Sequence, residues 1–138
     1  MIEDLQSQFA QALQSAEQVG REVRLRVTAP GLLDIARFCK EHRFTYLADI
    51  TAVDTGTELR VVYRLVNLEN SQHLVISVPV PRTGGRLPTL CRVFQGAEWP
   101  EREVYDLFGV RFDGHPDLRR ILLTDDWEGY PLLKTAKT

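Results

Sequence analysis

The chain has little with which to bind metal by itself, cross a bilayer or hold nucleic acid. Cys39 and Cys91 are the only cysteines in 138 residues. Neither has a Cys or His neighbour at metal-ligand spacing, which argues against an iron–sulfur or zinc site made by this chain alone. Cys39 falls in an apolar helical stretch and reads as a small buried thiol. No apolar run approaches the roughly 20 residues that span a bilayer. The opening from Met1 to Gly20 is polar and Gln-rich rather than leader-like, so a soluble, cytoplasmic chain is expected. The formal charge of -2 lacks the basic excess of a nucleic-acid binder. Lysine is scarce as well, with three against fourteen arginines. Arginine suits planar, bidentate pairing with carboxylates, and a genome rich in G and C produces the same bias.

What is present is one domain's worth of patterned sequence. Leu5, Phe9, Ala12, Leu13 and Ala16 recur at spacings of three and four, which predicts an amphipathic helix over 3–18 ended by Gly20. Val23, Leu25 and Val27 alternate with charged residues as in a half-exposed strand. A second helix is expected from Leu32 to about His42. Three strands follow, over 44–53, 59–68 and 73–80, with Asp54–Thr57 and Asn67–Ser71 as turns. Turns this short impose antiparallel pairing, a meander. Leu90, Val93 and Phe94 suggest a further helical stretch. Trp99 and Pro100 open another helix over about 99–108, with Gly109 as its stop. The expected fold class is α+β. An antiparallel sheet, the meander plus an N-terminal strand, would be covered by helices, with an irregular C-terminal tail. The domain would occupy 1–112, and 113–138 would be a docking tail of the same domain.

One stretch does not fit simple burial. Glu101-Arg102-Glu103-Val104-Tyr105-Asp106-Leu107-Phe108-Gly109, then His115-Pro116-Asp117-Leu118-Arg119-Arg120-Ile121, mixes both charges with aromatic and aliphatic residues. Glu103 and Asp106 share a helix face, and with His115 they offer a two-carboxylate, one-histidine metal set. The same groups are spaced for ion pairs within the helix, Glu98 with Arg102 and Arg102 with Asp106. A paired-carboxylate acid/base site is a further possibility with no sign of a tuned pKa. His42 and His73 are isolated. Gly84-Gly85 lacks the strand-to-helix setting of a phosphate loop, and no Ser, Cys or Lys nucleophile stands beside a base motif. The segment from Phe112 to Lys134 carries Leu118, Ile121, Leu122, Leu123, Trp127, Tyr130, Leu132 and Leu133 between Gly and Pro breaks. That much apolar surface covers either its own domain or a partner.

At these residues the chain resembles the 30-kDa-type subunit of NADH-quinone oxidoreductase, which belongs to the peripheral arm of respiratory complex I. The family signature is met by Glu101-Arg102-Glu103, Asp106, Leu107-Phe108, His115, Arg119 and Ile121. Gln95-Gly96-Ala97-Glu98-Trp99 looks like the family's approach to that helix, with Gln95 and Glu98 substituted. Asp125-Asp126-Trp127-Glu128-Gly129 looks like its acidic-Trp-Glu-Gly segment. The resemblance implies a subunit without redox centres or catalytic residues of its own. Glu101, Arg102, Glu103, Asp106, His115, Arg119, Arg120 and Trp127 would fix the helix and tail and dock the neighbour. Its implied partners are the hydrogenase-like large subunit with the quinone site and the iron–sulfur subunits. NADH, FMN, iron–sulfur clusters and quinone would be bound by those partners, on the cytoplasmic face of the membrane, with electron transfer coupled to proton translocation.

The sequence departs from the family at Tyr130, Leu133 and Thr135, where His, Arg and Asp are usual, and the family's tail runs further. The tail of an isolated chain is expected to be mobile or crystal-packed. Similar subunits serve membrane-bound hydrogenases and ferredoxin-linked dehydrogenases. A stand-alone carboxylate or metal-dependent enzyme and a generic binding module are the readings from other classes.

Overall fold

The computed structural model describes residues 2–119 and Tyr130. Of the segment from 113 onward, the expectations for Arg120 to Gly129 and Pro131 to Thr138 lie outside the described residues. The elements are α1 (Ile2–Gln8), β1 (Leu13–Val19), β2 (Glu22–Val27), α2 (Leu32–Glu41), β3 (Tyr46–Asp54), β4 (Leu59–Asn67), β5 (Gln72–Val80), β6 (Arg86–Pro88), α3 (Glu98–Phe108) and β7 (Arg111–Asp113).

Five strands form one sheet in the order β1-β2-β5-β4-β3, and β6 and β7 form a small parallel pair. The meander β3-β4-β5 is antiparallel, as its short turns require. The sheet as a whole is mixed, however, because β2 runs parallel to β5. The chain leaves β2, crosses through α2 to the far edge, and the meander then returns to lay β5 beside β2. Such a crossover joins parallel strands, as a tight turn cannot.

The N-terminal helix is shorter than its pattern suggests. α1 ends at Gln8, and Leu13–Val19 is a strand hairpinned onto β2. The spacing of Leu13 and Ala16 is compatible with a helix, but pairing with the apolar β2 outweighs local propensity. Gly20, at φ 62°, supplies the positive φ that a two-residue hairpin turn needs at its first central position. Leu90, Val93 and Phe94 are buried without forming a regular helix. Residues 91–93 are turn, and one 3-10 turn follows over Gln95–Ala97.

The core lies on one face of the sheet. Leu59, Val61, Tyr63 and Leu65 alternate inward on β4, and Leu74, Ile76 and Val78 on β5. Leu32, Ile35, Ala36, Phe38 and Cys39 of α2 pack against them with Val104 of α3. At about 25 cal/mol per Å² of apolar burial, this continuous cluster is the main stabilising term. Its effect on the site is positional: α3 is held flat against the sheet beside β3.

Candidate functional site

α3 is the helix of the charged signature, and it turns charge inward. Glu101 and Asp106 are fully buried and Arg102 nearly so. A buried carboxylate is costly unless hydrogen-bonded, and Glu101 is bonded on both oxygens. The Thr89 hydroxyl donates to Oε1 at 2.6 Å and the Leu90 backbone N–H to Oε2 at 2.8 Å. The Cys91 thiol lies 3.5 Å from Oε1. Burial still raises the Glu101 carboxyl above its ordinary value, against the pull of the Leu90 N–H and the Thr89 hydroxyl.

His115 closes the same junction from the turn after β7. Its Nδ1 accepts from the Asp117 N–H at 2.9 Å, and its Nε2 lies 2.9 Å from the Glu98 carbonyl. With Nδ1 accepting, the proton sits on Nε2, which donates to Glu98; the tautomer is set by these bonds. Nε2 is also 3.9 Å from Glu101 Oε1.

Arg102 continues the seam on the neighbouring face. Its Nε donates to the Arg119 carbonyl at 3.1 Å, and Nη1 approaches Asp117 at 3.8 Å. Its guanidinium lies over the Trp99 ring at 4.7 Å. Arg119 in turn grips Asp117 with two bonds, of 2.6 and 2.8 Å. That fork holds the Asp117 carboxyl below its ordinary value.

The signature thus fastens three segments into one junction: the 89–91 turn, α3, and the 115–119 turn. Glu101, Arg102, His115 and Arg119 come together as the sequence suggests. Among the described residues, the ion pair that Arg102 makes is to Asp117 rather than along the helix. Asp106 is buried within the same helix, whereas Glu103 is exposed and faces elsewhere. Arg120 and Trp127 lie outside the described residues.

The metal set of Glu103, Asp106 and His115 does not converge. Among the described residues the donors that meet are Cys91, Glu101 and His115, all within 4.8 Å of one another. They do not fit an ion as arranged. Both ring nitrogens of His115 and both oxygens of Glu101 are engaged, and burial first of all pushes the Cys91 thiol up to about 11. A metal would have to break the bond to Glu98, displace the Thr89 hydroxyl and ionise the thiol. Thr89, Cys91 and Asp117 were not legible as members. Thr89 and Cys91 stand a dozen and ten residues before Glu101, with nothing periodic to link them. Asp117 lies inside the signature and signals itself only by its nearness to Arg119.

His42 is a packed imidazole: it stacks on Phe38 at 4.0 Å, with Nδ1 bonded to the Phe38 carbonyl. His73 Nδ1 is buried with no described partner. Cys39 is fully buried, its thiol raised to about 12.

The family model for the respiratory-chain NADH dehydrogenase 30 Kd subunit matches residues 25–138, most of the chain and the whole of this junction. The chain belongs to that family. A relative from Geobacter sulfurreducens, named as an NADH-quinone oxidoreductase subunit, is 41% identical over 135 residues, covering 94% of this chain and 83% of the relative. Its counterpart from Chlorobium phaeobacteroides is 44% identical over 110 residues, 75% of this chain and 66% of that one. Among solved structures, a trypsin-resistant fragment of Nqo5 superposes with a TM-score of 0.72 at 31% identity, covering 85% of this chain and 98% of the fragment. A chain of an archaeal membrane-bound sulfane sulfur reductase complex does so at 0.78 and 31% identity, covering 91% and 75%. The 30 Kd subunit fold therefore recurs in respiratory membrane complexes of more than one kind. Among the described residues no helix is long and apolar enough to cross a membrane.

Proposed function

We propose that this chain is a non-redox subunit of the peripheral arm of an NADH-quinone oxidoreductase, on the cytoplasmic side of the membrane. It holds its neighbours in register and catalyses nothing itself. The observation that carries this reading is the junction around Glu101. The charged signature of a 30 Kd subunit is engaged in internal bonds that lock α3 to the 115–119 turn. Among the described residues of the junction, no acid, base or nucleophile is left aimed at a substrate. Glu101, Arg102, Asp106 and His115 set the geometry. Glu103 and Arg119, together with the exposed Trp99, present it to the hydrogenase-like large subunit and the iron–sulfur subunits; Arg120 and Trp127, which lie outside the described residues, are assigned the same docking role. NADH, FMN, iron–sulfur clusters and quinone then belong to those partners. A rigid, charge-studded element suits docking because its groups are ordered before the encounter.

The match to the sulfane sulfur reductase complex supports a second reading, in which a related membrane complex with another electron donor uses the same subunit. The test is to tag the chain in its host, purify it, and assay the purified complex for NADH-dependent quinone reduction. Co-purification with flavin, iron–sulfur clusters and that activity is the expected outcome, with assembly impaired by Arg119→Ala. Recovery of an intact complex that accepts electrons from reduced ferredoxin but not NADH would favour the second reading. Recovery of the chain alone would overturn both.

A further inference from the structure

The two edges of the five-stranded sheet are built differently. β1 exposes Gln14, Ser15, Glu17 and Gln18 and, at its end, Val19, a mostly polar edge. β3 is longer, carries no Lys or Pro, and leaves Tyr46 and Val53 about half exposed, at 50% and 53%. The sheet ends there, and no described residue pairs with the outer backbone of Tyr46 to Val53. The exposed Asp49, 3.9 Å from Arg64, and one irregularity in register between Leu47 and Asp49 interrupt it at a single point. Beyond that point the strand offers an unpaired edge with apolar side chains at both ends, a template for another strand.

α3 runs beside this edge and turns it into a groove. Ile50 and Ala52 of β3 form one wall, and Glu103, Leu107 and Phe108 of α3 the other. Toward the start of the strand, Tyr46 and Leu47 border a second hollow with Gln95 and Gly96. Trp99, Glu103 and Leu107 stand at successive i,i+4 positions and so share one stripe of α3. Glu103 is the one charged group lining the groove, and it takes part in none of the ion pairs among the described residues.

Resting on the reading of the chain as a complex subunit, we propose that the β3 edge receives an extended segment of another subunit as an added strand. Main-chain bonds to β3 supply the pairing and alternate side chains supply the selectivity, as in strand addition generally. The segment places apolar side chains in the groove and a Lys or Arg against Glu103. A second copy of this chain is the wrong occupant. A copy paired edge to edge through β3 brings a second Glu103 and, from its own groove, no Lys or Arg to meet the first.

The test uses the assembled complex. A benzophenone amino acid at Thr51, an exposed edge position, is photocross-linked and the product mapped by mass spectrometry. Backbone hydrogen exchange over 46–53 is compared between the complex and the isolated full chain. Support would be a cross-link to one basic, alternately apolar segment of a different subunit, with exchange slowed at least about tenfold in the complex. Glu103→Lys should then weaken retention of the chain about tenfold, and Glu103→Gln much less. A cross-link to a second copy overturns the inference. So does normal assembly with unchanged exchange on β3, which leaves the subunit reading standing. Failure to enter any complex removes both.

Discussion

The ring of Tyr130 lies against Gly109, where a side chain at that position would have to go. Gly109 ends α3 at φ 83°, its N–H bonded to the Tyr105 carbonyl at 2.9 Å. A β-carbon there would stand 2.8 Å from the ring of Tyr130. Tyr130 also packs on Tyr105, with centroids 6.2 Å apart. One glycine therefore serves both as the left-handed cap of the signature helix and as the seat for a residue twenty-one positions on.

Gly109→Ala is expected to lose about 2–3 kcal/mol of stability, from the positive φ and the displaced ring together. In a Tyr130→Ala background only the backbone cost remains. Urea unfolding of the two single variants and the double should therefore show a coupling of about 1 kcal/mol. Additive effects would mean that the ring does not rest on Gly109 in solution.

Glu101 should impose a pH dependence on stability. Burial raises its carboxyl above the usual 4.5, so the fold binds this proton more tightly than the unfolded chain does. The contribution is fully present below the unfolded value and is lost as pH rises through the folded one. Glu101→Gln removes the charge and retains an oxygen for the Leu90 N–H. The melting temperature of the variant minus that of the parent should increase from pH 4 toward pH 7. A difference that stays flat with pH would show that the fold fully offsets the cost of burying the carboxylate.

Tyr63 is fully buried on β4, and its hydroxyl has no hydrogen-bond partner among the described residues. Burial, and next the nearby Glu101 charge, push its phenol well above the ordinary value. Tyr63→Phe is predicted to be neutral or to stabilise by about 1 kcal/mol, because a buried unpaired hydroxyl is replaced by hydrogen. Chemical denaturation decides this, and a loss larger than about 1 kcal/mol would reveal a partner for the hydroxyl.

Both thiols should be unreactive in the folded chain. Their pKa values, pushed up to about 12 for Cys39 and about 11 for Cys91, leave little thiolate near neutral pH. Iodoacetamide at pH 8 is expected to modify neither until denaturant is added, as read by intact mass. Rapid labelling of Cys91 alone would mean that the 89–91 turn opens away from Glu101. Zinc added to the native chain should not shift the melting temperature. A stoichiometric shift abolished by His115→Ala would make Cys91, Glu101 and His115 a metal site after all.

Strands and helices were readable where local pattern and tertiary demand agree. Leu59 to Val80 alternates with period two and carries its own turns, so β4 and β5 follow from the chain's own pattern. The 99–108 helix is bracketed by Trp99-Pro100 and Gly109. Leu13 to Val19 misleads because its small and Gln-rich residues suit helix and strand alike, and the choice falls to β2. Of the site, Glu101, Arg102, His115 and Arg119 stood out as unusual company. Their bonding partners Thr89, Leu90 and Cys91 did not, since a backbone N–H and a threonine hydroxyl leave no mark on composition or period.

The sequence by itself determined the α+β class, the meander and the family, because these rest on local periodicity, turn chemistry and a motif of fixed spacing. Only the tertiary structure decided that β2 lies parallel to β5, that Glu101 and Asp106 point inward while Glu103 points outward, and that Tyr130 returns to Gly109. Those outcomes depend on contacts between segments far apart in the chain, formed where burial of the whole core outweighs what each segment prefers alone.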